Sequence, residues 1–306
     1  MRVTQQILFS NFMRDMNKNR GEMGRLQSDL SSGKAVRYPS QGPVEFQRSR
    51  VIEENIRKEE QYQDNISTAL RQSRASQEAL DETIDRLIDV KRTMVQAATG
   101  STSSGAHNTM ASEVRGIRDS LINTLNLSSG DRYLFAGTNS SERPFELVVP
   151  DPDDPDPEVI PGNVANHSNN KSPSVLVGDG IRLDIGISGV ELRETAAGDL
   201  FEILGNVIQA MEEGDSERVN AMLGDIDTTI QHVSHLTSRL GTNINRMDFM
   251  SEQYESARIT QRAEISNMVD TDYAQAFSDL QRNQVAYEAA MAVHATMFGN
   301  TLLDYL

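Results

Sequence analysis

The sequence predicts a mainly α fold: an elongated antiparallel helical rod, or coiled coil, formed by the N- and C-terminal segments, with a small β-rich outer domain inserted between them. Three observations predict it. Both ends carry apolar stripes at coiled-coil spacing, only the middle alternates with period two, and the composition lacks the aromatic bulk of a thick globular core. At the N-terminal end Phe9, Phe12, Met16, Asn19, Met23, Leu26 and Leu30 step by alternating threes and fours, which is the rhythm of one coiled-coil seam. At the C-terminal end Ala276, Leu280, Asn283, Tyr287, Ala290, His294, Met297 and Thr301 keep that rhythm, diluted by small and polar residues. Neither stripe is apolar enough to be stable alone, so both termini read as assembly surfaces.

Composition sets limits on the alternatives. The chain has 306 residues, 37% of them hydrophobic, and no Trp. That suits helix seams, which need Leu, Met or Ala only every third or fourth position. The absence of Cys removes disulfides, thiolate metal sites and Cys nucleophiles together, and suits a chain that must travel unfolded. No stretch approaches the roughly 18 to 20 apolar residues of a membrane span. Met1 to Ser10 has one Arg and a short apolar patch, which does not read as a cleavable signal. On composition alone the expected location is cytoplasmic.

The net charge of −16 is unevenly spread. Residues 1–50 hold 9 basic and 4 acidic side chains, a net of +5, whereas residues 201–306 hold 6 and 16, a net of −10. This favours the two ends lying side by side, within or between subunits. The N-terminal cations Arg14, Lys18, Arg20 and Arg25 scatter around the helix without stacking aromatics, so nucleic acid is not an expected partner.

Taken in order, residues 1–43 read as an assembly helix and turn, ending near Ser31-Ser32-Gly33, where Gly supplies a left-handed C-terminal turn. Pro43 suits the first turn of the next helix. Residues 44–130 form the N-terminal part of the rod. Its first helix runs to about Ala98 through Ile52, Ile56, Ile66, Leu70, Leu80, Ile84, Leu87 and Met94, roughly 80 Å at 1.5 Å per residue. Glu59, Gln63, Ser73 and Gln77 make that seam thinly apolar in one stretch. A Gly/Ser turn at 100–105 leads to a return helix through Met110, Val114, Ile117, Leu121 and Leu125.

Residues 131–198 are the β-rich insert, with short runs at Tyr133 to Ala136, Phe145 to Val149, Ser174 to Val177 and Ile181 to Ile187. Asp151 to Asp156 reads as a solvated acidic loop, since it lacks the Gly and terminal Glu of a calcium loop. Residues 199–270 are the C-terminal part of the rod. Helix resumes at Asp199, an N-cap with Glu202 three residues on, and breaks at Gly214-Asp215. The seam then changes phase by one residue between Val233 and Leu236, which implies a local skip or a change of partner. Asp270-Thr271-Asp272 is the expected joint before the assembly helix of residues 271–306.

No catalytic, cofactor or metal site emerges, and the chain reads as non-enzymatic. His232 and His235 lie i, i+3 on a helix, a spacing that can serve a metal, but a di-metal bundle needs Glu-x-x-His motifs on two helices and there is none. A metal-dependent bundle enzyme is the rival from another class. Ser31-Ser32-Gly33 and Ser128-Ser129-Gly130 are helix punctuation, with no strand leading into a nucleophile elbow.

Three motifs carry a family resemblance. Leu26 to Gly33 (LQSDLSSG) resembles the end of the first helix in bacterial flagellin-like proteins. Gly241 to Asp248 (GTNINRMD) is similar to their C-terminal Gly-x-x-x-Asn-Arg signature, and Ile265 to Ala274 to the stretch before their last helix. Within the family, Tyr133 to Thr138 with Pro144-Phe145, and Val285 to Leu306 with its ending Leu302 to Leu306, resemble the hook-filament junction branch more than the filament subunit flagellin, which stays as the alternative. Tyr38 to Pro43 departs from the family, whose members carry Asp before the Pro.

The resemblance implies a structural adaptor of the bacterial flagellum, exported through the type III apparatus without a cleaved signal, and so reverses the cytoplasmic expectation. It implies as partners neighbouring copies in a ring, the hook-side junction protein (the first hook-associated protein), flagellin, and an export chaperone on the C-terminal helix. No membrane is implied. The expected assembly interface is Phe9, Phe12, Met16, Met23, Leu26, Leu30, Leu280, Tyr287 and Met297.

Overall fold

A computed structural model describes residues 2–99, 104–139, 141–148 and 164–299. The expected turn at Gly100 to Ser103 and the acidic loop at Asp151 to Asp156 lie outside the described residues. The chain divides into two compact units, one of residues 1–58 with 256–306 and one of residues 59–255.

In the smaller unit, α1 (Arg2–Ser32) and α8 (Tyr273–Gly299) pack against each other. They run antiparallel, since Phe12 meets His294 while Asp29 meets Thr271. The unit also holds the start of α2 (Pro43–Ala98) and the end of α7 (Leu223–Val269). Pro43 opens α2, where its missing N–H costs nothing and its fixed φ suits a first turn.

The turn after α1 is clasped to the α7–α8 joint. Ala35 and Val36 donate backbone N–H groups to the carbonyl of Val269, and Thr271 donates to that of Gly33. Gly33 sits at φ +71°, a conformation that favours glycine, and a Cβ there would lie 2.7 Å from the Tyr273 hydroxyl, the far end of an exposed side chain that can move aside. Asp272 caps α8 by accepting from the N–H groups of Ala274 and Gln275 at 2.9 and 3.1 Å.

In the larger unit, the rest of α2 runs antiparallel to the rest of α7. Tyr62 contacts Tyr254, Arg74 pairs with Asp248 and Lys91 with Asp227, so positions rise along one helix as they fall along the other. The return helix α3 (Ser104–Leu125) packs on α5 (Leu200–Glu212). The core takes Leu80, Leu87 and Met94 from α2, Val114 and Leu121 from α3, Phe201 and Val207 from α5, and Val233 and Met247 from α7. Asp199 caps α5 as its sequence position predicts, through the N–H groups of Phe201 and Glu202. The phase change expected between Val233 and Leu236 leaves no break, since α7 runs through it without interruption; the break lies earlier, where α6 (Ser216–Ala221) is a separate short helix and α7 starts after Met222.

The β region consists of four two-stranded antiparallel hairpins among the described residues: β1–β2 (Ser128–Ser129, Arg132–Tyr133), β3–β4 (Phe145–Leu147, Val164–Asn166), β5–β6 (Ser174–Gly178, Ile181–Asp184) and β7–β8 (Glu194–Thr195, Gly198–Asp199). It departs from the sequence reading in several places: β1, β4, β7 and β8 lie outside the four expected runs. Of the run Tyr133 to Ala136 only Tyr133 is in a ladder; Leu134, Phe135 and Ala136 are buried as irregular chain. A short helix, α4 (Gly189–Arg193), capped by Ser188, follows the strand run that starts at Ile181. Short isolated hairpins are marginal in water, and these are held by side chains of the helices. Asn126, just past α3, both donates to the carbonyl of Phe145 and accepts its N–H, at 2.8 and 3.0 Å.

Candidate assembly surface

The α1–α8 pair brings the two sequence stripes together. Met16 and Ala276 are buried; Phe12, Met23, Leu26, Leu30, Leu280, Tyr287 and His294 are half-buried. His294 stacks on Phe12 with ring centroids 4.3 Å apart and tilts against Phe9 at 5.7 Å. Of the expected interface residues, Met16 is thus buried and Phe12, Met23, Leu26, Leu30, Leu280 and Tyr287 half-buried within this unit, whereas Phe9, though it touches His294, is 44% exposed. The side chain of Met297 lies outside the described residues.

This seam is weakly apolar. Asn19 lies within it, and its Oδ1 is shielded from solvent without a hydrogen-bond partner among the described residues. A buried polar atom left unsatisfied costs about 1–3 kcal/mol. An isolated helix pair with that defect and half-exposed seam residues is marginal, because helical stability in proteins comes mostly from tertiary packing of an apolar face.

The outward faces carry apolar residues, most of them outside the sequence stripes, although Phe9 belongs to the N-terminal stripe itself. On α1 these are Ile7, Phe9 and Met13; on α8 they are Tyr273, Phe277, Val285, Met291 and Val293, all at least 43% exposed. From Val285 to Val293, α8 carries one charge, Glu288, and is apolar or small all round. A helix of that kind is normally covered on every side. That composition is the signal that would have found the outer face, whereas a search for one best stripe finds only the inner seam.

Among the described residues the histidines that the sequence singled out are not gathered into a site. His232 donates its Nε2–H to the carbonyl of Glu191 at 2.8 Å, so it is occupied in holding α4, and His235 points to solvent. Arg239, on the same helix, forms a two-pronged ion pair with Glu191, and that hydrogen bonding raises the guanidinium pKa above its ordinary value. Among the described residues there is no group of three or more potential metal ligands, and no helix is long and apolar enough to cross a membrane.

The architecture defines the class. Long terminal helices that pair with each other and flank a β insert are the plan of the bacterial flagellins, and the pattern of the bacterial flagellin N-terminal helical region matches residues 3–140, that of the C-terminal helical region residues 223–306. The chain belongs to the bacterial flagellin family. Within it, the chain is similar to flagellar hook-associated protein 3 of Salmonella typhimurium, 22% identical over 99% of both chains. It is 23% identical to that of Escherichia coli, over the same shares. Solved structures share the fold: a flagellar hook-associated protein from Vibrio parahaemolyticus superposes with TM-score 0.65 at 19% identity, covering 75% of this chain and all of that one. Hook-associated protein-3 from Legionella pneumophila gives 0.61 at 12%, covering 72% and 98%.

Proposed function

We propose that this chain is a structural adaptor at the junction between flagellar hook and filament. The observation that carries the reading is end-to-end similarity, over 99% of both chains, to two proteins named flagellar hook-associated protein 3. The physical reading points the same way. The apolar outer faces of α1 and α8 are the surfaces on which neighbouring copies, a hook-side junction protein and flagellin would pack, with heterologous contacts that close a ring or continue a helix. Before assembly these faces would be covered by an export chaperone recognising an amphipathic or all-apolar helix in a groove. The chain reaches its extracellular place through the flagellar export apparatus without a cleaved signal, a route that a Cys-free chain with marginal terminal helices tolerates.

Deleting the gene, imaging the cells by electron microscopy and assaying the medium for flagellin tests this directly. Bare hooks with flagellin shed into the medium are expected. Bare hooks without shed flagellin would make the chain the filament subunit, and intact filaments would remove the flagellar reading.

A further inference from the structure

One cavity has a chemistry that neither the fold nor the apolar surfaces use. It holds about 230 Å³ and lies where the α1–α2 turn, the first turns of α2 and the end of α7 meet within the smaller unit. Lys34, Arg37 and Arg50 line it against a single carboxylate, Glu53, over an apolar floor that includes Phe46 and Val269. At about 30 Å³ per water, the space takes a side-chain head group with several waters.

Its cations are under-used. Arg50 pairs with Glu53 at 2.9 Å. Arg37 donates through Nη2 to Ser28 Oγ at 2.6 Å and approaches Asp29 at 3.4 Å, yet its Nε–H is shielded from solvent and has no acceptor. The Lys34 ammonium has no acceptor among the described residues. A shielded guanidinium N–H without an acceptor is costly unless something supplies an oxygen. The backbone under Lys34 and Arg37 is fixed by the bonds from Ala35 and Val36 to Val269 and from Thr271 to Gly33, while the Lys34 side chain is exposed and that of Arg50 is 63% exposed, so both can be reached by a second copy.

We infer that this cavity is a carboxylate socket for an acidic side chain of a second copy of this chain. The inference rests on the assembly reading above and specifies one polar contact of it. Charge complementarity favours a second copy over other anions: the segment containing the socket is net +5 over residues 1–50, while residues 201–306 are net −10. A guanidinium flanked by an ammonium matches a carboxylate through charge-assisted hydrogen bonds. Such a contact fixes register between copies that apolar helix faces alone would leave free to slide.

The test is zero-length amine-to-carboxylate coupling with a carbodiimide on concentrated full-length protein, mixed from nitrogen-15-labelled and unlabelled copies, with links mapped by mass spectrometry. Heavy-light peptides joining Lys34 to an Asp or Glu are expected. Lys34→Glu should weaken self-association measured by sedimentation about tenfold, with helicity unchanged, and Lys34→Arg should retain it. Links between copies elsewhere, with Lys34 unlinked or linked only within its own chain and Lys34→Glu associating like the parent, would overturn the socket while sparing the assembly reading. No self-association and no links between copies would overturn both.

Discussion

The hydroxyl of Ser73 donates to the carbonyl of Ile185 at 2.7 Å, in a fully buried contact between α2 and the chain just past β6. It explains why the long α2 seam is polar where a coiled coil would be apolar. In that stretch the helix faces hairpin edges, whose free carbonyls need donors once water is excluded. Asn65 serves Leu176 in the same way at 3.0 Å, and from α7 Asn243 serves Asp184 and Tyr254 serves Val177.

Ser73→Ala should therefore destabilise the larger unit by about 1–3 kcal/mol, since it leaves the Ile185 carbonyl buried without a donor. Ser76, one turn on, is also fully buried, but its Oγ has no hydrogen-bond partner among the described residues. Ser76→Ala removes a polar atom that gains nothing from folding and should be neutral or stabilising. Urea unfolding of the two variants beside the parent measures the difference; equal losses would show that the assigned hydrogen bond does not contribute.

Tyr254 gives a prediction in alkaline solution. Burial, then the neighbouring Tyr62 and Glu59, raise the phenol above its usual value near 10. A folded pKa above the unfolded one means that the unfolded chain loses its proton first as pH rises. The contribution is thus complete below pH 10 and lost as pH climbs through the raised folded value. Tyr254→Phe should unfold more easily at neutral pH, by about 1 kcal/mol for the lost hydrogen bond to Val177, and should show a shallower loss of stability above pH 10. Parallel pH profiles of parent and variant would refute this.

Much of the architecture was legible because helix seams declare themselves by period. The stripes on α1 and α8, the stops at Gly33 and Gly214, the Pro43 start, and the Asp199 cap are local features with local causes, and each stands where its residues place it. The β region was legible as a region but not strand by strand. Phe135 is buried by tertiary packing without a ladder partner, and the hairpins are set by side chains 19 to 112 residues away, such as Asn126 on Phe145 and Ser73 on Ile185. The outer face of α8 was missed for the opposite reason. A helix that is apolar all round offers two faces, and periodicity selects the one that closes within the chain.

Gly33 offers a check on the clasp between the α1–α2 turn and the α7–α8 joint. Gly33→Ala combines a left-handed backbone with a Cβ 2.7 Å from the Tyr273 hydroxyl, so it should cost about 1–2 kcal/mol. Adding Tyr273→Phe removes the close oxygen but not the backbone strain, and should recover only part of the loss. Hydrogen exchange at Ala35 and Thr271, whose N–H groups form the clasp, reads the effect where it occurs. Unchanged protection in the single variant would place the clasp elsewhere.

The α1–α8 seam supports a pair of opposed substitutions. Met23→Asp or Leu280→Asp puts a charge into a half-buried apolar seam and should separate the helices, abolishing incorporation into assembled structures while the helicity of the larger unit stays nearly unchanged. Asn19→Leu should do the reverse to stability: it removes the unsatisfied Oδ1 and adds apolar area, which together favour pairing by about 1–2 kcal/mol. A buried Asn in a helix seam also penalises alternative registers, so the stabilised variant should pair less uniquely and aggregate more readily. Circular dichroism melts of the terminal helices separate the two effects from sedimentation of the assembled protein. If Asn19→Leu neither raises the melting temperature nor changes the size distribution, the seam is not where these helices are marginal, and the coupling between their weakness and their assembly is lost.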